Sequence, residues 1–181
     1  MLPIITVPQI EPLPLSAIQP ELAASIKESR AKGVLSSITP LQIWAHRPAT
    51  AAHWLDALNS FYTDSLLDER LRELVRLKIA SITQCNVCQL ARKSDSVDDT
   101  DIACLNSNSA HFSADIVAAL NFAELFAADY QAIGDAEFAE LQRHFTAEAI
   151  VELNMFCALM LAGGRMTYVL KGYGEATSAQ S

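Results

Sequence analysis

The sequence predicts an all-α fold, and three observations carry that reading. All seven prolines lie at or before Pro48, so no later position lacks the backbone N–H that a continuous helix needs. From Ala49 onward the chain is rich in Ala, Leu and Glu and poor in Gly, a composition that intrinsic propensity favours for helix. No run of alternating Val, Ile and Thr is long enough to demand a sheet. Seven or eight short helices are expected.

Taken in order, residues 1–20 read as an extended arm, held open by Pro3, Pro8, Pro12, Pro14 and Pro20. Arms of this kind often pack across a neighbouring subunit. Residues 21–172 read as one helical domain and residues 173–181 as a flexible tail. A helix starts near Pro20, and Pro48 opens another that carries Trp54, Leu58 and Phe61. Ser65-Leu66-Leu67-Asp68 resembles a capping box, and Leu71, Leu74, Val75, Ile79 and Ile82 follow at helical spacing. Gly134-Asp135 ends one helix and caps the next, placing Phe138 and Leu141 on one face. Thr146 precedes an apolar helix with Ile150, Leu153, Phe156, Cys157 and Met160, ending at Gly163-Gly164 or running on to Gly172.

Composition narrows the function. The chain has 181 residues, 51% hydrophobic and 19% charged, which suits one compact domain with a substantial core and excludes a disordered chain. Its 13 Lys+Arg against 21 Asp+Glu give a formal charge of −8. An acidic surface with no basic block argues against a nucleic-acid partner and against anionic lipid. The most apolar stretch without charge, Leu153 to Gly164, falls short of the roughly 20 residues that span a bilayer. The N-terminus has no basic region of the signal-peptide kind. A cytoplasmic protein is expected, where thiols stay reduced, so the four cysteines point to redox or metal chemistry, or to packing, before structural disulfides.

The chemically loaded stretch is Thr83-Gln84-Cys85-Asn86-Val87-Cys88-Gln89-Leu90-Ala91-Arg92. On a helix, Cys85 and Cys88 share a face and stand close enough for a disulfide. In the first turn of that helix, the dipole would lower a thiol pKa, and Arg92 on the same face would further favour thiolate. Zinc also uses Cys-x-x-Cys, but it wants two more ligands at their own short spacing, and Cys104 and Cys157 are isolated. Two buried unreactive cysteines are the remaining reading. No metal and no cofactor is expected, and Gly163-Gly164 lacks the strand and spacing of a dinucleotide loop.

Upstream stands Leu71-Arg72-Glu73-Leu74-Val75-Arg76-Leu77-Lys78-Ile79-Ala80, with Glu73 twelve positions before Cys85. The stretch from Glu73 to Cys88 resembles the core of the carboxymuconolactone decarboxylase and alkylhydroperoxidase-D-like superfamily. The similarity extends over roughly Trp44 to Leu170 and includes the segments from Ala118 to Ala123 and from His144 to Leu153. The resemblance implies an all-helical fold assembled as a trimer, hexamer or dimer of identical chains. It also implies a thiol-dependent oxidoreductase, peroxiredoxin-like, that reduces hydroperoxides or disulfides and is recycled by a thiol reductant protein or a small dithiol. By position, Cys88 matches the attacking thiol, Cys85 the resolving thiol and Glu73 the carboxylate of the proton relay. The family's redox branch has His where this chain has Arg92. Histidine takes and returns a proton near neutral pH, whereas arginine stays protonated. Arg92 can hold a thiolate and pair with Glu73, but it is no general base, so hydroperoxide reduction is expected to be weaker than in relatives that keep the histidine. A non-catalytic oligomeric scaffold and a redox sensor are the alternatives.

Other residues read more plainly. His46, His53, His111 and His144 are scattered and fit caps or surface, with His111 and His144 able to reach the thiols only through the fold. Cys157 reads as core and Cys104 as an exposed thiol without a role. Trp44, Trp54 and Phe61 read as core or subunit interface, and Glu124, Asp129, Asp135, Glu137 and Glu140 as a solvated acidic face.

Overall fold

A computed structural model describes residues 7–83, 93–105 and 110–173. Those residues form eight α-helices and two short 3-10 turns, with no strand among them, as the proline distribution and composition predict. The chain divides into two compact units: Met1–Thr63 with Arg165–Ser181, and Asp64–Gly164.

In the first unit, the 3-10 turn Leu15–Ala17 leads into α1 (Pro20–Ala31), α2 (Thr39–Trp44) and α3 (Pro48–Thr63). Pro20 and Pro48 each stand at the first helical position, where a missing N–H costs nothing and the fixed φ is already helical. On α1, Leu22, Ile26 and Ser29 are buried at i, i+4, i+7 spacing, and the helix packs on α3, with Ser29 Oγ donating to Asn59 Oδ1 at 2.9 Å. Gly33 ends this segment at φ +77°, a left-handed conformation that a Cβ would strain. The arm lies on its own unit. Gln9 N–H donates to the Leu170 carbonyl at 2.9 Å, and Leu13 and Gln42 bond each other twice, through Leu13 N–H to Gln42 O and Gln42 Nε2 to Leu13 O.

The second unit holds α4 (Glu69–Ile82), α5 (Asp99–Cys104), α6 (Ala114–Ala128), the 3-10 turn Tyr130–Ala132 and α7 (Asp135–Leu141), together with the first eighteen residues of α8 (Ala147–Leu170). Helix α4 is its axis. Every residue from Glu73 to Ala80 is buried, so α4 is enclosed on all sides and not only along one stripe. Its main partner is α6, whose buried Ala118, Ala119 and Ala123 let the two backbones approach closely.

One helix boundary differs from the sequence reading, and a second falls on the longer of its two alternatives. Ser65 does not cap α4; its hydroxyl donates to Glu152, and Leu66 N–H donates to the same carboxylate. The cap is Asp68, which accepts from Leu71 N–H at 2.9 Å, because a cap must stand directly before the first helical residue to reach its orphan donors. Gly163-Gly164 does not stop α8, which runs to Leu170. Its end is a pair of turn bonds, Lys171 N–H to Tyr168 O and Gly172 N–H to Thr167 O, with Lys171 at φ 51° in the place usually given to glycine. On α7, Leu141 is buried as expected but Phe138 is 41% exposed, standing edge-on to Phe122 at 6.1 Å.

At 24 residues, α8 is also long and apolar enough to cross a membrane by length and composition, although its charge-free core is shorter. A stripe along it, Ala149, Ile150, Leu153, Phe156, Cys157 and Gly164, is buried in the fold, as the core helix of a globular protein would be. Gly164 is where α8 meets the end of α4: a Cβ there would stand 3.1 Å from Thr83 Oγ1. Gly164→Val should therefore cost about 1–3 kcal/mol by overpacking. In urea denaturation, Thr83→Ala in the same chain should recover part of that loss.

Candidate functional site

Three charged residues, Glu73, Arg76 and Lys78, lie within the buried run of α4 and are 3%, 4% and 5% exposed. Burying a charge is costly unless it is paired and hydrogen-bonded, and each of these is. Arg76 grips Glu73 across one helical turn: Nε donates to Oε2 at 2.7 Å and Nη2 to Oε1 at 2.6 Å. Such two-point contacts match the planar guanidinium to the planar carboxylate. Glu73 Oε1 also accepts from Lys93 N–H at 3.1 Å. Lys78 Nζ reaches Glu124 Oε2 on α6 at 2.6 Å and the Leu105 carbonyl at 3.0 Å.

One turn before Glu73, Arg70 makes a second forked contact, with Nη1 to Asp101 Oδ2 at 2.7 Å and Nη2 to Asp101 Oδ1 at 2.6 Å. Arg70 also donates to the Ser96 carbonyl. Asp101 is 2% exposed and accepts in addition from Asp98 N–H at 3.0 Å, closing the capping box of α5. His111 Nε2 stands 2.7 Å from Asp101 Oδ1. The Arg70 fork, followed by the Asp98 N–H and His111, holds the Asp101 carboxyl well below the usual carboxylate range.

The consequence is mechanical. The residues from Lys93 to Leu105 follow the Cys-x-x-Cys stretch, and α4 holds them at three places: Glu73 at Lys93 N–H, Arg70 at Ser96 and Asp101, and Lys78 at the Leu105 carbonyl. Of the residues singled out in the sequence, Cys85, Cys88 and Arg92 lie outside the described residues. Glu73 is placed as above. Cys157 is fully buried, and burial pushes its thiol up to about 12, which leaves it a core side chain with no thiolate near neutral pH. Cys104 is half-buried. His46 Nε2 donates to the Glu11 carbonyl at 2.9 Å, and His144 Nε2 lies 3.3 Å from Glu140.

On the expected acidic face, Glu124, Asp129 and Asp135 are exposed and Glu137 and Glu140 half-buried. Glu124 pairs with Lys78, Glu137 accepts from Gly134 N–H at 2.8 Å, and Glu140 pairs with Arg143. The donors are Lys78 on α4 and two residues that flank α7, Gly134 and Arg143. Arg76, Arg70 and Asp101 were not legible as site residues. The available signal was Glu73-x-x-Arg76 inside a helix whose apolar positions surround both. No group of three His, Cys, Asp or Glu among the described residues is arranged to hold a metal ion.

Two outcomes follow from these ion pairs. Arg76→Met should leave a buried carboxylate without its countercharge and cost about 3–5 kcal/mol, whereas Glu73→Met with Arg76→Met should recover most of it; a double-mutant cycle in denaturant measures both. Because the Asp101 carboxyl is lowered in the fold, its contribution is present above the unfolded-state value of about 3.9 and is lost as pH falls through the lower folded value. Asp101→Asn should therefore destabilise the protein by about 1.5–3 kcal/mol at pH 7, and the gap to wild type should begin to narrow in acid melts below about pH 4 and shrink further as pH falls.

No family model and no curated protein matches the sequence. Among solved structures, the fold is similar to the alkylhydroperoxidase AhpD core of an uncharacterized peroxidase-related protein from Ralstonia eutropha JMP134. The TM-score is 0.72 at 19% sequence identity, over 92% of this chain and 91% of that one. The chain thus has the helical fold of an AhpD core.

Proposed function

We propose that this chain is a thiol-dependent oxidoreductase that works through Cys85 and Cys88. The observation that carries the reading is the buried, forked Glu73–Arg76 pair, whose carboxylate also holds Lys93 N–H one residue beyond Arg92. A buried ion pair that fixes the segment following a cysteine pair in sequence is an arrangement able to tune a thiol. The likeness of the fold to a peroxidase-related AhpD core supports the same class.

In the proposed cycle, the Cys88 thiolate attacks a hydroperoxide oxygen, the O–O bond breaks, and Cys88 becomes a sulfenic acid while an alkoxide leaves and takes a proton. The Cys85 thiol then attacks that sulfur, forming the Cys85–Cys88 disulfide and releasing water. A dithiol reductant exchanges with the disulfide and restores both thiols. With a disulfide substrate, Cys88 attacks sulfur, a thiolate leaves, and Cys85 resolves the mixed disulfide. Glu73 acts here as a fixed acceptor, since both its oxygens take N–H donors, so the proton for an alkoxide comes from water. Arg92 holds the thiolate without shuttling a proton. The active form is proposed to be a homo-oligomer; Val151 and Met155, 58% and 57% exposed on α8, are the apolar surface that supports it.

The test is the pH dependence of alkylation of Cys88 in a chain with Cys85, Cys104 and Cys157 changed to Ser. Cys88 is expected to titrate well below the free-cysteine value of about 8.5. A value at or above it would overturn catalysis by this pair.

A further inference from the structure

Helix α8 is apolar on two opposite faces, and the fold covers one of them. Ala149, Ile150, Leu153, Phe156, Cys157 and Gly164 form the buried face. On the other side, Glu148, Val151, Met155, Ala158, Ala162 and Arg165 recur at alternating intervals of three and four residues. That is the a/d spacing with which one helix seats along another. All six are exposed, Val151 at 58% and Met155 at 57%. A helix that is apolar all round belongs in an interior, and a single copy of the chain gives α8 only half of one.

The charges on this face say what covers it. Glu148 stands in the first turn and Arg165 near the other end, about 25 Å along the axis, with the apolar positions between them. Glu152, beside the face, is committed to Ser65 and to Leu66 N–H. A second copy of α8, laid antiparallel with a positions against d positions, sets Glu148 opposite Arg165, Val151 opposite Ala162 and Met155 opposite Ala158. Both ends then carry opposite charges, and each apolar layer couples a larger side chain with an alanine, so the two helices can approach closely. A parallel pair would set Glu148 against Glu148 and Arg165 against Arg165, which like-charge repulsion disfavours. A lipid surface offers neither charge a matched partner at this spacing.

We propose that two copies of this chain pair through the exposed face of α8, antiparallel about a two-fold axis, with Glu148 of each copy against Arg165 of the other. This deepens the homo-oligomer of the proposed function and rests on that reading only for self-association. Its readout is molecular mass in the presence of a reductant, which the reactivity of Cys88 does not set, so either can fail without the other.

Sedimentation equilibrium of the full-length chain should show a dimer or an assembly built from dimers. Glu148→Arg and Arg165→Glu should each weaken the pairing at least about tenfold, because each puts like charges together at both ends. The two changes in one chain should bring the dissociation constant back to within about threefold of wild type. Glu148→Arg also sets a cation at the start of a helix, but such a local defect would persist in the double variant, whereas the pairing returns. Ala158→Glu, at an exposed position, should leave the far-ultraviolet circular dichroism unchanged and weaken the pairing about a hundredfold or more. Four results would each overturn the proposal: a monomer or an odd-numbered assembly, single charge variants that associate like wild type, a loss that the double variant does not restore, or cosedimentation of the wild-type chain with phosphatidylcholine vesicles.

Discussion

The second unit is organised around a carboxylate that cannot leave its place. Glu73 lies in the middle of a helix that is enclosed on every side, and water is not there to solvate its charge. The only arrangement that tolerates this is a partner of opposite sign at the right pitch, and Arg76, three residues on, provides it with two parallel N–H bonds. Leucine at either position would pack as well or better. What the ion pair adds is direction: a carboxylate with a fixed orientation presents its remaining acceptor capacity to one point, and that point is Lys93 N–H.

The same logic repeats along α4. Arg70 and Lys78 are held by Asp101 and Glu124, and each then spends a remaining donor on a carbonyl, of Ser96 and Leu105 respectively. Three charged side chains on one rigid helix thus anchor the backbone that follows the cysteine stretch. A hydrophobic helix would bury that segment but would not fix its register, because apolar contacts are non-directional whereas these bonds specify individual backbone atoms. Precision of this kind is what a reactive group needs from its surroundings.

How much of this the sequence carried depends on the range of the interaction. Pro20, Pro48 and Thr146 mark helix starts through the backbone of their own neighbours, and all three stand where that local chemistry places them. Gly163-Gly164 left two ends open for α8 because helix-breaking by glycine is a local average, while Gly164 is retained in α8 at a contact with Thr83, eighty-one positions away in sequence. Ser65 misleads for the same reason, its hydroxyl being taken by Glu152. Glu73 was legible only through the resemblance of the stretch from Glu73 to Cys88 to a family motif. Arg76 was not, because a charge on a helix is assigned to solvent by default, and only the closure of α6 and its neighbours around α4 makes it internal. Asp101 and His111, ten positions apart, meet in a pairing that no periodicity encodes.

The residue types around the cysteine pair bear on which substrate suits the proposed chemistry. Breaking an O–O bond expels hydroxide or alkoxide, strong bases for which water, of pKa about 15.7, sets the scale, so the step is helped greatly by a proton donor. Breaking an S–S bond expels a thiolate, whose conjugate acid lies near about 8.5 and which leaves without one. Histidine can give that proton, whereas arginine at 92 stays charged, and Glu73 has both oxygens occupied by donors. In the proposed cycle an arginine there would lower the energy of thiolates, whether attacking or leaving, but would not protonate an alkoxide. Within the thiol reading, the substitution therefore moves the balance from hydroperoxides toward disulfides.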